Sequence, residues 1–265
     1  MQIAFCLEML YTELPFVQRL ATAKSDGIEW FEFWDWRNKD LNVLLHEMNL
    51  LNMKVSNLSG NRQFGMIDPG ERALFLEELH ETGAIAKRIG CPTLMLLVQK
   101  LETDGRAVSP LTFLSRNEKI EQIIACGFEA GELAEKLDLH IVIEPLNDVL
   151  DHPGYFLNSS RLAFHIIGEI NHPRVKLLYD VYHMAMMGED VYHDIENNLD
   201  LIGYFHFADK PGRNEPGTGE IDYKNIFLLL NRLKYDGFIG GEFYPSTGDS
   251  HNAVRETLKL FAHLT

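Results

Sequence analysis

A chain of 265 residues with 24 basic and 39 acidic side chains carries a formal charge of -15. A field of that sign repels phosphate backbones and anionic lipid, which argues against nucleic acid and membrane as partners. No stretch approaches the roughly 20 apolar residues of a membrane span, and the opening MQIAFCLEML lacks the basic start of a signal peptide. Cys6, Cys91 and Cys126 are few and unpatterned, which excludes a disulfide frame or zinc knuckle and leads to the expectation of a soluble, cytoplasmic protein.

In chain order, short apolar or β-branched runs alternate with amphipathic stretches of helical period. IAFCLEM near residue 3 precedes PFVQRLATAKSDG, and IEWFEFW near 28 precedes KDLNVLLHEMNLLN. MKVSNLS near 53 precedes ERALFLEELHETGAIAKRIG, and PTLMLLVQ near 92 precedes KIEQIIACGFEAGELAEKL. LHIVIEPL near 139 leads into SSRLAFHIIGEI, while no helix is assigned between VKLLYDVYH near 175 and LIGYFHFAD near 201. YKNIFLLLNRLKYDG, FIGGEFYP near 238 and AVRETLKLFAHL complete the series. The glycines of SDGI, RIGC and YDGF suit helix C-terminal caps. Runs this continuously apolar fit a parallel sheet covered on both faces. Eight of them predict an α/β fold, a closed (β/α)₈ barrel, as one domain over residues 1–265. An open doubly wound sheet is the competing architecture, but no G-x-G-x-x-G turn follows the first run.

Chemistry in such barrels gathers at the C-terminal ends of strands. Run five ends in Glu144, run six in Asp180 with His183 just beyond, run seven carries His206 and ends in Asp209, and run eight holds Glu242. Four consecutive strands thus bring one ligand each, Glu144, Asp180, His206 and Glu242, to one end. Three carboxylates so close cannot all stay ionised without a cation. Oxygen-rich ligation with one imidazole suits a divalent ion, Mn²⁺ or Mg²⁺, with Co²⁺ as a further choice.

These residues carry a family likeness. IGYFHFADKPGRNEPGTGEIDY, residues 202–223, resembles the strand-seven segment of the hydroxypyruvate isomerase family, within the xylose-isomerase-like barrels. IEPLN, the D-V-Y-H of residues 180–183, GGEFYP and YTELPFVQRL also resemble segments of that family. The resemblance covers most of the chain, is specific in the second half and is looser from residue 28 to 130. It implies a metal-assisted isomerase of small α-hydroxy carbonyl acids, of the hydroxypyruvate or 2-oxo-tetronate type. It also implies Glu144 and Glu242 as acid/base pair and metal ligands, with Asp180 and position 206 completing the shell. Histidine at 206 is a departure, since the isomerases more often carry glutamine there and the related ketose 3-epimerases histidine. Lys210, IEWFEFWDWRNKD and Gln99 also depart from the family pattern, and all lie where a mouth would be, so they bear on the substrate. Family habit implies a homodimer or homotetramer.

Enediolate chemistry needs a base and an acid on either side of the substrate, roles assigned to Glu144 and Glu242. His183 is expected to hydrogen-bond a substrate oxygen, and Arg213 to clamp a substrate carboxylate through two parallel hydrogen bonds. Lys210 is a weaker candidate for the same task. Trp34 or Trp36 is expected to stack on substrate or shield it from water; Glu8 and Asn57, near strand ends, are further contacts. The nearest rival is a ketose 3-epimerase acting on a free ketohexose or ketopentose, which would use the same ligands. An abasic-site nuclease would need more histidines than Asn57 and Gln99 leave room for, and a sensor or scaffold with a dead site would have lost a ligand.

Overall fold

The computed structural model describes residues 1–108 and 111–262. Eight strands form in the predicted order: β1 (Gln2–Cys6), β2 (Trp30–Phe33), β3 (Lys54–Ser59), β4 (Thr93–Leu96), β5 (His140–Ile143), β6 (Val175–Asp180), β7 (Ile202–Phe207) and β8 (Phe238–Gly241). Each pairs in parallel with the next, and β8 returns to β1, so the sheet closes into a barrel rather than staying open. Closure removes both sheet edges, which is why no strand needs a polar face. Leu94, Ile141, Leu177, Phe205 and Ile239 are almost wholly buried, as strands covered on both faces require. Among the described residues no helix is long and apolar enough to cross a membrane.

Local chemistry sets the helix ends. Asp40 accepts from the Asn42 and Val43 amides to start α2 (Leu41–Leu51), following α1 (Phe16–Ser25). α3 (Arg72–Ile89) stops at Gly90, which takes the left-handed conformation at φ 71° as the RIGC signal implies. α4 (Arg116–Leu137) opens with a reciprocal capping box between Ser115 and Glu118. The YDGF expectation is corrected: after α8 (Tyr223–Arg232) the left-handed residue is Lys234, at φ 58°, not Gly237. Gly237 instead lies where an added Cβ would sit 2.4 Å from the Tyr235 hydroxyl.

Between α5 (Ser160–Ile170) with β6 and β7 lie two helices that periodicity does not reveal, α6 (Val181–Met186) and α7 (Val191–Asn198). At six and eight residues they are too short for a repeating pattern. Asp180 ends β6 and also caps α6, its Oδ1 accepting from the His183 amide at 3.0 Å. Strand four also ends earlier than expected: Gln99 lies three residues past Leu96, and its side-chain oxygen accepts from the Phe156 amide at 2.6 Å. α9 (Ser250–Ala262) closes the described chain.

Beyond β7, Asp209 organises the glycine-rich segment. Its carboxylate accepts from the amides of Lys210, Gly217, Gly219 and Ile221 at 2.9–3.0 Å. Glu215 accepts from the amide and hydroxyl of Ser246, tying that loop to the one after β8. The Tyr244 amide donates to the Arg213 carbonyl at 2.9 Å, which anchors Arg213 over the barrel mouth.

Candidate active site

Glu144 follows β5 directly and Glu242 follows β8 directly, each held by a backbone hydrogen bond of 3.1 Å to the neighbouring strand. Asp180 ends β6, and His183 lies one turn along α6. Their ligand atoms all lie within 4.8 Å of one another, and Glu144, Asp180, His183 and Glu242 could hold a metal ion. All four are buried. Three carboxylates confined this closely in a dry site repel one another unless positive charge is supplied.

The fourth member differs from the expected one. His206, expected as a ligand, stands beside the group with both ring nitrogens engaged. Its Nδ1 is 3.0 Å from Glu144 Oε1, and its Nε2 is 3.2 Å from Glu32 Oε2. His183, expected to touch substrate, is the imidazole within the group, its Nε2 being 3.7 Å from Asp180 Oδ2.

Glu32 was not among the expected site residues. It lies inside β2, buried at 3% exposure, and also accepts from the Tyr204 hydroxyl at 2.9 Å. Gly240 on β8 makes room for it: a Cβ there would sit 2.8 Å from both Glu32 oxygens and 2.9 Å from His206 Cδ2. A signal existed, since W-F-E-F repeats the lone glutamate in an apolar run that singled out V-I-E-P. It lies within the strand rather than at the strand end where barrel chemistry gathers.

The electrostatics follow from burial and neighbours. Burial pushes Glu144 up to about 7, with Glu242 and Asp180 adding to the rise and His206 opposing it. Burial likewise pushes Asp180 up to about 6 against the pull of His206 and Arg213. For Glu242 burial also raises, but Arg213 and His206 outweigh it and hold the carboxyl below its ordinary value. Burial works against a charged His206, yet Glu32 and Glu144 hold it well above the usual imidazole range. Burial, with Arg213 next, drives His183 well below that range.

Arg213 reaches the centre, as expected, but its Nη2 bonds Glu242 Oε2 at 2.5 Å. Its Nε is buried without a hydrogen-bond partner among the described residues. The indole of Trp34 donates to Glu242 Oε1 at 2.8 Å, so that side chain holds a catalytic candidate as well as walling the site. Trp36 turns away and donates to Thr82. Glu8 pairs with Lys39 at 2.6 Å. Lys210 pairs with exposed Glu220 at 3.6 Å and does not line the cavity. Asn57 is buried on β3, opposite Glu32 in register, and does not line the cavity either.

A cavity of about 360 Å³ opens above Glu144 and Glu242, within the size range of small-molecule sites. Strand four and its loop supply an apolar wall, Met95, Leu97 and Leu101. Arg62, from the loop after β3, lines the same cavity with its guanidinium 6.0 Å from the Trp34 ring.

Comparison with known proteins adds four findings. Residues 17–264 match the family model described as xylose isomerase-like TIM barrel. Hydroxypyruvate isomerase of Escherichia coli (strain K12) is 31% identical over 91% of this chain and 92% of its own. The 2-oxo-tetronate isomerase of Cupriavidus necator is 29% identical over 92% of this chain and 93% of its own. Among solved structures, D-psicose 3-epimerase with D-tagatose from Clostridium cellulolyticum H10 superposes with a TM-score of 0.82. It covers 100% of this chain and 99% of that one at 14% identity, a likeness of fold alone.

Proposed function

Because the chain belongs to the xylose isomerase-like TIM barrel family and, within it, to the hydroxypyruvate isomerase family, we propose that it is a metal-dependent isomerase of small α-hydroxy carbonyl acids. The reading rests chiefly on Glu144 and Glu242, two buried carboxylates on one cavity, sharing a group of potential metal ligands with Asp180.

Glu144, Asp180, Glu242 and an imidazole would hold a divalent ion, which would offset the carboxylate charge and stabilise a developing oxyanion. Three buried carboxylates drawn together beside a buried imidazole are the observation that fits such a group. Oxygen-rich donors favour Mn²⁺ or Mg²⁺.

The chain's own residues then do the proton work. One glutamate takes the proton from the carbon beside the carbonyl; the C–H electron pair becomes the enediolate double bond. The other delivers a proton to the neighbouring carbon, and the hydroxyl proton is redistributed between the two oxygens. The two are already unlike, since Arg213 and Trp34 bond Glu242 while Glu144 faces His206. Divergent environments of this kind let one carboxyl give a proton while its partner takes one. Arg213 keeps its Nε for a substrate oxygen, and Arg62 adds positive charge at the mouth for a substrate carboxylate. Leu97, Leu101 and the Trp34 ring keep water from the carbanion-like intermediate.

His206, in place of glutamine, favours a second reading, a ketose 3-epimerase returning the proton to the opposite face of one carbon. One experiment separates the two. The protein is stripped with chelator and restored with Mn²⁺ or Mg²⁺. It is then incubated in D₂O with hydroxypyruvate, a 2-oxo four-carbon acid, fructose or tagatose. NMR should show metal-dependent deuterium entry and product from an acid. Turnover of the ketoses alone would move the chain to the epimerases, and no exchange with any would withdraw both readings.

A further inference from the structure

The two histidines at the centre have outer partners of opposite hydrogen-bonding character. Asn147, in IEPLN, spends its side-chain oxygen on the amides of Leu150 and Asp151, both at 3.1 Å. Its Nδ2 donates to Asp151 Oδ2 at 2.6 Å, which fixes the amide's orientation. The second proton of Nδ2 therefore points at His183 Nδ1, 2.7 Å away. An amide N–H₂ has no lone pair to offer, so Nδ1 accepts and the ring's proton must sit on Nε2. That Nε2 is buried among the carboxylates and has no hydrogen-bond partner among the described residues. His206 is the reverse. Its Nε2 faces the Glu32 carboxylate, which only accepts, and its Nδ1 faces Glu144 at 3.0 Å and Glu242 at 3.9 Å.

We propose that Asn147 and Glu32 are positioning residues that give the two histidines opposite polarity. Asn147 makes His183 an N–H donor toward a substrate oxygen, although its ring lies at ligand distance. Glu32 holds His206 by Nε2–H and turns Nδ1 toward the carboxylate group, where a bound cation would take the place of the proton that Nδ1 shares with Glu144. A histidine whose inward nitrogen carries the proton cannot ligate; one whose outward N–H is held by a carboxylate is a more basic ligand. Gly240 is part of the device, because any Cβ there would strike both Glu32 and His206. What the two histidines do for catalysis rests on the isomerase reading, but their proton positions do not.

The test is two-bond ¹H–¹⁵N spectroscopy of the histidine rings in metal-free, substrate-free protein, with resonances assigned through His183→Gln and His206→Gln. His183 should show a protonated Nε2 and an unprotonated Nδ1, and Asn147→Asp should reverse that pattern. Glu32→Gln should move the His206 Nε2 resonance and weaken Mn²⁺ binding, measured calorimetrically, by about 10–100-fold. A native His183 with its proton on Nδ1 would overturn the Asn147 assignment, whether or not either variant folds. Unchanged Mn²⁺ affinity in folded Glu32→Gln, or in Glu32→Asp should the first variant not fold, would overturn the Glu32 assignment. Neither readout uses turnover, so a failed activity assay and a failed tautomer assignment are separately visible.

Discussion

Strands β5 to β8 and strands β1 to β4 meet one cavity with different chemistry. The second half brings Glu144 and Glu242 to the cavity lining from strand ends, with Asp180, His183 and His206 buried beside them. The first half brings Trp34, Arg62, Met95, Leu97 and Leu101 to the cavity wall, most of them from loops. Its one buried charge at the centre, Glu32, acts through His206. The difference teaches where each task can be built. Proton transfer needs groups fixed to fractions of an ångström, which strand ends provide; fitting a substrate needs surfaces that can change without unsettling the barrel.

The sharpest way to break this division is Glu144→Gln and Glu242→Gln, which keep shape but remove the acid/base group. Each should lower kcat by about 10²–10⁴-fold and suppress deuterium exchange, with circular dichroism unchanged. Retained exchange in either would place the proton transfer elsewhere.

On the first-half side, Arg62→Ala should raise KM for an acid substrate by about 10–100-fold, the worth of a charge-assisted hydrogen bond, with kcat little changed. An equal loss in kcat would mean that the wall takes part in chemistry. Trp34→Phe keeps the ring but deletes the N–H that bonds Glu242, and should cost kcat/KM a factor of about three to ten. Steady-state kinetics with one acid substrate covers both.

Stability offers a smaller effect. In the folded metal-free protein Glu144 is held at about 7 against an ordinary 4.5, and Asp180 at about 6 against 3.8. Raised carboxyls make the folded state the better proton binder, so their stabilisation is complete below the ordinary values and is lost as pH climbs through the folded ones. His206, also raised, is lost in the same direction above its ordinary 6.5. Glu242, lowered, acts oppositely but below 4.5, outside the window, whereas buried His183, also lowered, opposes within it and adds stability as pH rises to its ordinary 6.5. The Tm of metal-free protein should therefore fall by a few degrees from pH 6.5 to pH 8, where Glu144 and His206 lose their protons and His183 no longer opposes them, and Mn²⁺ should flatten the slope by replacing the protons. A Tm that rises over that range without metal would contradict the charge arrangement described.

Legibility in the sequence followed the same division. Glu144, Asp180 and Glu242 were readable because a carboxylate ending an apolar run is conspicuous and the barrel sends such ends to one place. Glu32 was hidden by its neighbours, since Trp30, Phe31 and Phe33 read as ordinary core around it. Lys210 belongs to a recognisable segment, yet its chain turns to Glu220, a choice made by the loop that Asp209 holds together. α6 and α7 leave no periodic signal in the sequence because neither is long enough to show one.

Alternating apolar runs and helical stretches by themselves determined an eightfold parallel α/β order, since buried two-sided strands and amphipathic helices have few other ways to hide their surfaces. They also determined that acidic groups would collect at one end. Tertiary structure alone decided that His206 lodges between Glu32 and Glu144 and that Asn147 faces His183 Nδ1. It also decided that Arg213 spends one arm on Glu242. Those contacts join residues 29 to 174 positions apart, and which nitrogen faces which oxygen depends on barrel register and side-chain packing, neither of which is written in local sequence.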